Sequence, residues 1–403
     1  MAKKKKSAGR IRKIRLNVDR QHLRYITAEY IEESLDKRLP KGRLAAPELK
    51  GKPKHGIWYK VPVPEGMSGD GSEYHVYLKR GHSKNLCIFL SGGGMAWDEY
   101  TAARPVTYAR MAAGLPNFYW DNLRPVTELM NITMGITETG TRRNPFDDWN
   151  FLVITYATGD LHIGDHDFIY HTEGGSEKML HFHGFRNYQE SMKIIKYWMN
   201  SPQKLLIAGN SAGAFAVPAL ADDIIDHYYP ECPDITLFSD SGQFIFNKWR
   251  ETVENVWRAP MHIVRPVQSD NVTVDWYRRL YEKYGSRVRY LYASSVHDFL
   301  LSAYYNETVT GNYETTPEMQ FLFKVQLKVM VQQLMEITPE FGFFLYDWKN
   351  VLYTKGGSIH TAVREPYFYL KNKEGISMAD WLSDAVSGNV RNVGMQLLED
   401  DII

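Results

Sequence analysis

The most constraining feature of this sequence is the pentapeptide Gly-Asn-Ser-Ala-Gly at residues 209–213. The apolar run before it, 204–208, is typical of a buried strand, and the Ala-rich run after it, 214–221, is typical of a helix. A sharp turn between strand and helix holds a serine in a strained backbone conformation, with its hydroxyl projecting above the sheet. Glycines two residues to either side keep the strand and the helix from colliding with the turn. The helix also directs its positive end at the serine, where negative charge develops during acyl transfer. We therefore predict that Ser211 is a nucleophile.

An earlier loop carries three consecutive glycines, Gly92–Gly94, after an apolar run. Without side chains to cover them, their backbone N–H groups can bind an anion or an oxyanion. Where a nucleophilic serine occupies a strand-to-helix turn, the loop after the third strand supplies one side of the oxyanion hole. A phosphate-binding loop and a flexible turn are the alternatives. A nucleotide loop would require Gly-Lys-Ser/Thr, or Gly-x-Gly-x-x-Gly at the start of a helix, and neither occurs.

Short strand-like runs alternate with helix-like runs from residue 56 onward. The first two alternate polar and apolar residues and predict an antiparallel pair at one edge of a sheet, whereas the later continuous apolar runs predict buried parallel strands. The fold class is therefore α/β, an α/β-hydrolase-type mostly parallel sheet with helices on both faces. The weakly periodic stretch 98–146 is expected to form a lid built from insertions. Strands are predicted at 57–61, 74–78, 85–90, 151–156, 204–208, 234–239, 287–293 and 350–354, and helices at 185–199 and 317–336.

The composition is that of a globular protein with a large core. The chain has 403 residues, a formal net charge of +1 and 44% hydrophobic residues, which excludes fibrous and disordered classes. No run of about 18 apolar residues occurs, and no apolar stretch follows the basic N-terminus, so neither a transmembrane segment nor a secretory signal is expected. The two cysteines, Cys87 and Cys232, form no disulfide framework. These features predict a cytoplasmic protein.

The chain is predicted to have two parts. Residues 1–50 form a basic, flexible N-terminal extension with one helix, and residues 51–403 form the α/β-hydrolase domain. Eight of the first 15 residues are Lys or Arg, so this arm is expected to be a solvated tail, with charge-driven attraction to nucleic acid or an anionic membrane as the alternative.

A serine nucleophile needs a base that is oriented by a third group. In this fold the order along the chain is Ser, then Asp or Glu, then His. His360 follows the last predicted strand and is the predicted general base. Two acids, Asp240 and Asp298, stand at the ends of predicted strands. Asp298 follows the later strand, the usual position of the acid, and is preferred, with Asp240 as the possible alternative.

Other polar residues at strand ends have more ordinary interpretations. Asp160 is either a polar pocket residue or the acceptor of an Asx turn. His181 and His183 lie one residue apart and would share a face of a strand, where they could bind a metal ion. No carboxylate or cysteine set stands beside them in the sequence, so no metal site is expected, and the chemistry requires no cofactor.

Several of these motifs occur together in the order found in one family. The chain resembles the pectin acetylesterase family of serine hydrolases over roughly residues 56–390. The residues that carry the resemblance are Gly92–Gly94, Thr158–Asp160 with His162 and Gly164, Gly209–Gly213, Asp240–Gly242, His360–Thr361 and Gly375–Leu382.

The resemblance implies a triad of Ser211, Asp298 and His360. It also implies an oxyanion hole made by the N–H groups of Gly94, Met95 and Ala212. Many relatives carry Cys or Trp where Met95 stands here, and many are secreted, so the fold and the chemistry transfer better than the substrate does.

The function expected from the sequence is that of a serine esterase. It would hydrolyse an acyl ester, with an acetyl or longer acyl group on a hydroxylated compound such as a saccharide, through an acyl-enzyme. The alternative is a catalytically silent hydrolase-fold binding protein. No specific nucleic-acid partner is expected, and the sequence leaves the oligomeric state open.

Overall fold

The computed structural model describes residues 46–349 and 356–399. Most of the predicted N-terminal extension and the strand predicted at 350–354 lie outside the described residues. Within those ranges, no helix is both long and apolar enough to cross a membrane.

Ten strands occur in the described ranges, and eight of them form one sheet. The strand order in this sheet is β1-β2-β4-β3-β7-β8-β9-β10, while β5 and β6 pair only with each other. The strands are β1 (Trp58–Met67), β2 (Glu73–Lys79), β3 (Asn85–Leu90), β4 (Asn150–Ile154), β5 (His166–His171), β6 (Glu177–Phe182), β7 (Lys204–Asn210), β8 (Ile235–Asp240), β9 (Val288–Ser295) and β10 (Gly342–Tyr346).

The large sheet is mostly parallel. Strand β2 runs antiparallel to both β1 and β4, and all other neighbours are parallel. The predicted fold class is therefore confirmed, including the antiparallel pair at one edge. Strand β10 is not predicted by the sequence, because its five residues are all buried and show no alternation that would separate a strand from a helix.

Helices cover both faces of the sheet. The predicted helices at 185–199 and 317–336 are present, and Thr316 caps the second through the N–H of Met319. The helices are α1 (Glu99–Ala102), α2 (Tyr108–Ala113), α3 (Pro125–Ile132), α4 (Gly184–Trp198), α5 (Ala212–Asp223), α6 (Trp249–Glu251), α7 (Met261–Val264), α8 (Val272–Tyr284), α9 (Phe299–Thr310), α10 (Pro317–Ile337) and α11 (Met378–Val386).

Two apolar clusters, one on each face, bury the sheet. In β3, Leu86 and Ile88 belong to the cluster that includes Met192 of α4. The alternate residues of β3, Cys87 and Phe89, belong to the opposite cluster, which includes Trp381 of α11. Every residue of β3 after its first is fully buried, as expected for a central parallel strand.

The register of the parallel strands brings several loops to one edge of the sheet. Leu90 at the end of β3 pairs with Gly209 in β7. Asn210 pairs with Asp240, and Asp240 pairs with Ala293 in β9. The chain segments after β3, β7, β8 and β9 therefore emerge side by side.

Helix α5 begins in close contact with β3. A Cβ atom added at Gly213 would lie 1.9 Å from the carbonyl oxygen of Leu90, and one added at Gly209 would lie 2.3 Å from that of Gly213. No side chain fits at either position without displacing the helix or the strand. This crowding is the physical reason for the two glycines of the pentapeptide.

We expect Gly213→Ala to destabilise the protein by about 3 kcal/mol, because the new methyl group must push α5 away from β3. Urea unfolding measures the change. Gly114→Asn is the control: Gly114 ends α2 in a left-handed conformation with nothing within 4 Å of the added Cβ. Asparagine tolerates this conformation, so that loss should be about 1 kcal/mol or less. Equal losses for the two variants would contradict the crowding argument.

Candidate active site

Ser211 lies at the turn between β7 and α5 in a conformation that non-glycine residues rarely adopt. Its φ and ψ angles are 53° and −124°. Its N–H donates to the carbonyl oxygen of Asp240 at 2.9 Å, and its own carbonyl accepts the N–H of Ala214 at 2.8 Å. These bonds hold the strained backbone in place, so the serine lies at the N-terminus of α5, at the carboxyl edge of the sheet.

His360 is oriented by Asp298. The ring nitrogen Nδ1 lies 2.7 Å from Oδ2 of the carboxylate. The other oxygen, Oδ1, accepts the N–H groups of Leu300 and Leu301 at 2.9 Å each, so Asp298 also caps α9. Because the carboxylate oxygen accepts, Nδ1 carries the proton, and Nε2 is left as the basic nitrogen.

The surroundings of His360 favour its protonated form. Burial of the ring is the largest single effect and lowers its pKa, but the Asp298 carboxylate, with smaller contributions from Asp240 and Glu365, raises it. The net effect is a pKa above the ordinary histidine value of 6.5. Among the described residues, the buried Nε2 atom has no hydrogen-bond partner, so no direct bond joins it to the hydroxyl of Ser211. Such bonds are often formed only in the complex with substrate.

Asp240 contacts the histidine loop through its backbone. Its Oδ2 atom accepts the N–H groups of Ala362 at 2.7 Å and Val363 at 2.8 Å. Its Oδ1 atom accepts the hydroxyl of Tyr346 at 3.0 Å. Burial raises the pKa of Asp240, although these donors oppose the shift. The structure therefore places Asp298 on the imidazole and Asp240 on the backbone that follows it.

The glycine loop lies directly against the serine turn. A Cβ added at Gly92 would lie 2.6 Å from the Cβ of Ser211, and the N–H of Gly92 donates to the side chain of Asn210 at 3.1 Å. Gly94 has a φ of 79°, and an added Cβ would lie 1.8 Å from the carbonyl oxygen of Phe118. Only a glycine fits at either position.

The predicted oxyanion donors do not all remain available. The N–H of Met95 donates to the carbonyl oxygen of Phe118 at 3.0 Å, so in this conformation it is not free to bind an oxyanion. In the part of the chain that the structure describes, the N–H of Gly94 makes no hydrogen bond. Ala212 is the first residue of α5, where the N–H has no partner within the helix.

Comparison with known proteins adds the family to this geometry. The profile described as Pectinacetylesterase matches residues 64–274, just over half of the 403 residues. The chain belongs to the pectinacetylesterase family. It is therefore a carboxylic ester hydrolase, as the sequence predicted, and its substrates are esters.

A solved structure supports the fold of this pectinacetylesterase-family protein. The Wnt deacylase Notum from Drosophila matches with a TM-score of 0.54 and 14% sequence identity, over 81% of this chain and 92% of that chain. At this identity the likeness concerns the fold alone. A search of the curated proteins finds no match.

Two buried residues, Arg364 and His162, connect the loops of this pectinacetylesterase-family protein. The sequence assigned neither of them a role. Nη1 of Arg364 donates to the hydroxyl of Ser91 at 2.8 Å, and Nε donates to the carbonyl oxygen of Met130 at 2.7 Å. His162 donates from Nε2 to the carbonyl oxygen of Ser91 at 2.8 Å. Burial lowers the pKa of Arg364 to about 10 and that of His162 to about 4. The only sequence signal for Arg364 is its position, as a charged residue directly after the apolar pair Ala362-Val363.

Asp160 has a structural role in the described structure. Its Oδ1 atom accepts the hydroxyl of Thr158 at 2.6 Å and the N–H of His162 at 3.1 Å. Its Oδ2 atom accepts the N–H of Gly184 at 2.7 Å. The side chain is fully buried. Of the two interpretations of Asp160, the structure therefore favours the turn-stabilising acceptor.

His181 and His183 have a neighbour in the folded chain that their sequence surroundings do not show. A carboxylate does stand beside them, although it lies fourteen and sixteen residues away in the chain. Asp167 of β5 contacts both histidines across the hairpin.

We expect Asp240→Asn to destabilise the protein by about 2 kcal/mol, because one amide cannot accept all the N–H and O–H donors that now surround the carboxylate. It should also lower kcat for an ester, since the histidine loop loses its anchor. Unfolding midpoints and p-nitrophenyl acetate hydrolysis measure the two effects.

Asp275→Asn is the control for this prediction. Asp275 accepts the N–H groups of Gln268 and Ser269 at 2.7 and 2.8 Å in a loop outside the site. The Asp275→Asn variant should lose stability to a similar extent and keep the kcat of the wild type. Unchanged kcat in Asp240→Asn would contradict a positioning role for Asp240.

Proposed function

We propose that this chain hydrolyses esters through a serine mechanism, with Ser211 as nucleophile, His360 as general base and Asp298 as the acid that orients it. The observation that carries the proposal is the bond between His360 Nδ1 and Asp298 Oδ2. It occurs at the edge of the sheet where Ser211 is held in its strained turn. The Gly92 contact brings a loop with an uncommitted N–H group against the same turn.

In the first half of the reaction, the Ser211 oxygen attacks the carbonyl carbon of the ester and its proton passes to Nε2 of His360. The tetrahedral oxyanion accepts hydrogen bonds from the N–H groups of Gly94 and Ala212. When the intermediate collapses, the bond from carbon to the alcohol oxygen breaks. The alcohol leaves with the proton from Nε2, and the acyl group stays on Ser211.

In the second half, a water molecule gives a proton to Nε2 and its oxygen attacks the acyl carbon. The bond between the acyl group and Ser211 then breaks, and the serine oxygen regains the proton. Asp298 stabilises the charged imidazolium formed in both halves and keeps the ring in one tautomer. No cofactor enters this cycle.

For the substrate, we propose an acetyl or longer acyl group on a hydroxylated compound, with saccharides included. The family name refers to acetyl esters of pectin, and the structural neighbour is described as a Wnt deacylase, so both names refer to the removal of an acyl group. A series of p-nitrophenyl esters from acetate to palmitate measures the preferred chain length.

We also retain the cytoplasmic location as a proposal. Its support is that Cys87 and Cys232 are both buried free thiols, which suits a reducing compartment.

The alternative is a hydrolase-fold protein that binds without catalysis. The free Nε2 atom of His360 is the observation in its favour, because the serine is not bonded to its base. A fluorophosphonate probe separates the two proposals: an active serine reacts with it, whereas the serine of a silent scaffold does not.

We expect Ser211→Ala to lower kcat for p-nitrophenyl acetate by about 10⁴-fold and to abolish fluorophosphonate labelling, because the acyl-enzyme can no longer form. Ser191→Ala is the control; this buried serine of α4 donates to the carbonyl oxygen of Asn187 and is not part of the site. Activity above about a hundredth of wild type in Ser211→Ala would overturn the proposal.

The pH profile tests the roles of His360 and Asp298. Only a neutral imidazole accepts a proton, so kcat/KM should rise with pH, with an apparent pKa above the ordinary histidine value. In Asp298→Asn the main raising charge is lost and burial remains, so this limb should move to lower pH. The rate should also fall by roughly 10⁴-fold, because the tautomer is no longer fixed.

Asp240→Asn is the comparison for this experiment. Asp240 contributes less than Asp298 to raising the pKa of His360, so the shift and the loss of rate should both be smaller. The reverse ranking would assign the acid role to Asp240.

A further inference from the structure

The hairpin formed by β5 and β6 presents three ligand-type side chains on one face. Asp167 pairs directly with His181 in the antiparallel register. His183 lies just beyond the end of β6, after a turn in which its N–H donates to the carbonyl oxygen of His181 at 2.9 Å. This turn brings its ring to the same carboxylate. Residues 14 and 16 positions apart in the sequence are thereby brought together.

The three side chains converge on one point. Oδ1 of Asp167 lies 2.6 Å from Nδ1 of His181 and 2.8 Å from Nε2 of His183. Their candidate ligand atoms all lie within 4.8 Å of one another. The side chain of Asp167 is 50% exposed, while those of His181 and His183 are 19% and 9% exposed. The histidines are thus fixed by packing, and the carboxylate leaves a path to solvent.

We propose that Asp167, His181 and His183 bind one divalent transition-metal ion of the Zn²⁺ class, with the remaining coordination position open to solvent. Two imidazoles and one carboxylate suit Zn²⁺, Co²⁺ or Ni²⁺ better than Ca²⁺ or Mg²⁺, which prefer oxygen ligands. This proposal is independent of the proposed serine mechanism.

The present spacing needs only a small adjustment to admit the ion. With bonds of about 2.0–2.1 Å, tetrahedral ligand atoms lie roughly 3.3 Å apart. The carboxylate oxygen must therefore lie about 0.7 Å farther from Nδ1 of His181 and about 0.5 Å farther from Nε2 of His183 than it does now. The side chain of Asp167, which is 50% exposed, can supply this movement by rotation.

The nearby charges are compatible with a cation. Burial and, to a smaller extent, the Arg186 guanidinium lower the pKa of His183, and that guanidinium is paired with Asp165. The same hairpin also carries an ordinary pair for comparison. His171 bonds Glu99 at 2.7 Å, and this pair belongs to no ligand group of three among the described residues.

A bound ion would cross-link β5 to the chain segment that precedes α4. The N–H of His181 donates to the carbonyl oxygen of Gly69 at 2.9 Å, and His183 directly precedes α4. Coordination would link β5 to the chain that leads into α4, and this link would be absent from the unfolded chain. The ion should therefore raise the melting temperature by mass action.

The full chain, freed of metal by a chelator, tests the proposal by titration with Zn²⁺ in a calorimeter and with Co²⁺ in a spectrophotometer. We expect one ion per chain, a Co²⁺ spectrum of tetrahedral type, and a rise in Tm on adding Zn²⁺. His181→Asn and His183→Asn should each weaken binding by more than the roughly 10-fold cost of losing an outer-shell partner. His171→Asn should bind as the wild type does.

Three results would overturn the proposal: no rise in the Tm of the wild type with Zn²⁺, equal affinity in the wild type and the double histidine variant, or loss of binding in His171→Asn. If a histidine variant fails to fold, Asp167→Asn, which preserves the shape of the side chain, is tested instead. Zn²⁺ affinity equal to that of the wild type in this variant would overturn the proposal. Fluorophosphonate labelling of the wild type in chelator reports on the serine site separately, so failure of either proposal is visible by itself.

Discussion

One residue fixes the distance between the serine turn and the histidine loop. The backbone carbonyl of Asp240 accepts the N–H of Ser211, and its carboxylate accepts the N–H groups of Ala362 and Val363. Asp240 thus bonds the serine turn through its backbone and the histidine loop through its side chain. The distance between these two parts of one residue is limited by covalent geometry. A buried carboxylate is costly unless its oxygens are fully bonded. The separation of the two reactive groups therefore depends on keeping these bonds.

Two further hydrogen bonds connect the glycine loop to the serine turn and to the histidine loop. Asn210, directly before the serine, accepts the N–H of Gly92, and Arg364 reaches from the histidine loop to Ser91. Each loop at the sheet edge is thus bonded to another, and each bond is made by a buried or half-buried group. Such a closed set of contacts allows the strained backbone of Ser211 to persist.

The sequence predicted the parts of the site that depend on local pattern. The serine turn follows from the pentapeptide and its apolar flanks, and His360 and Asp298 follow from the order of strand ends. The sequence could not separate the roles of Asp240 and Asp298, since both follow strands and only the folded chain shows which one contacts the ring. The partner of the Met95 N–H could not be predicted, because the carbonyl of Phe118 lies in a stretch without periodicity. Asp167 was missed because hairpin register, not sequence spacing, places it beside His181 and His183.

The two carboxylate oxygens of Asp298 accept hydrogen bonds from different parts of the structure, α9 and the ring of His360. Oδ1 holds the first N–H groups of α9 and Oδ2 holds the imidazole, so a displacement at the start of α9 would tilt the ring. Farther along α9, the hydroxyl of Tyr304 donates to the carbonyl of Phe118, the same atom that engages the N–H of Met95. Helix α9 therefore connects the imidazole, through Asp298 at its start, to the segment around Phe118, through Tyr304 farther along.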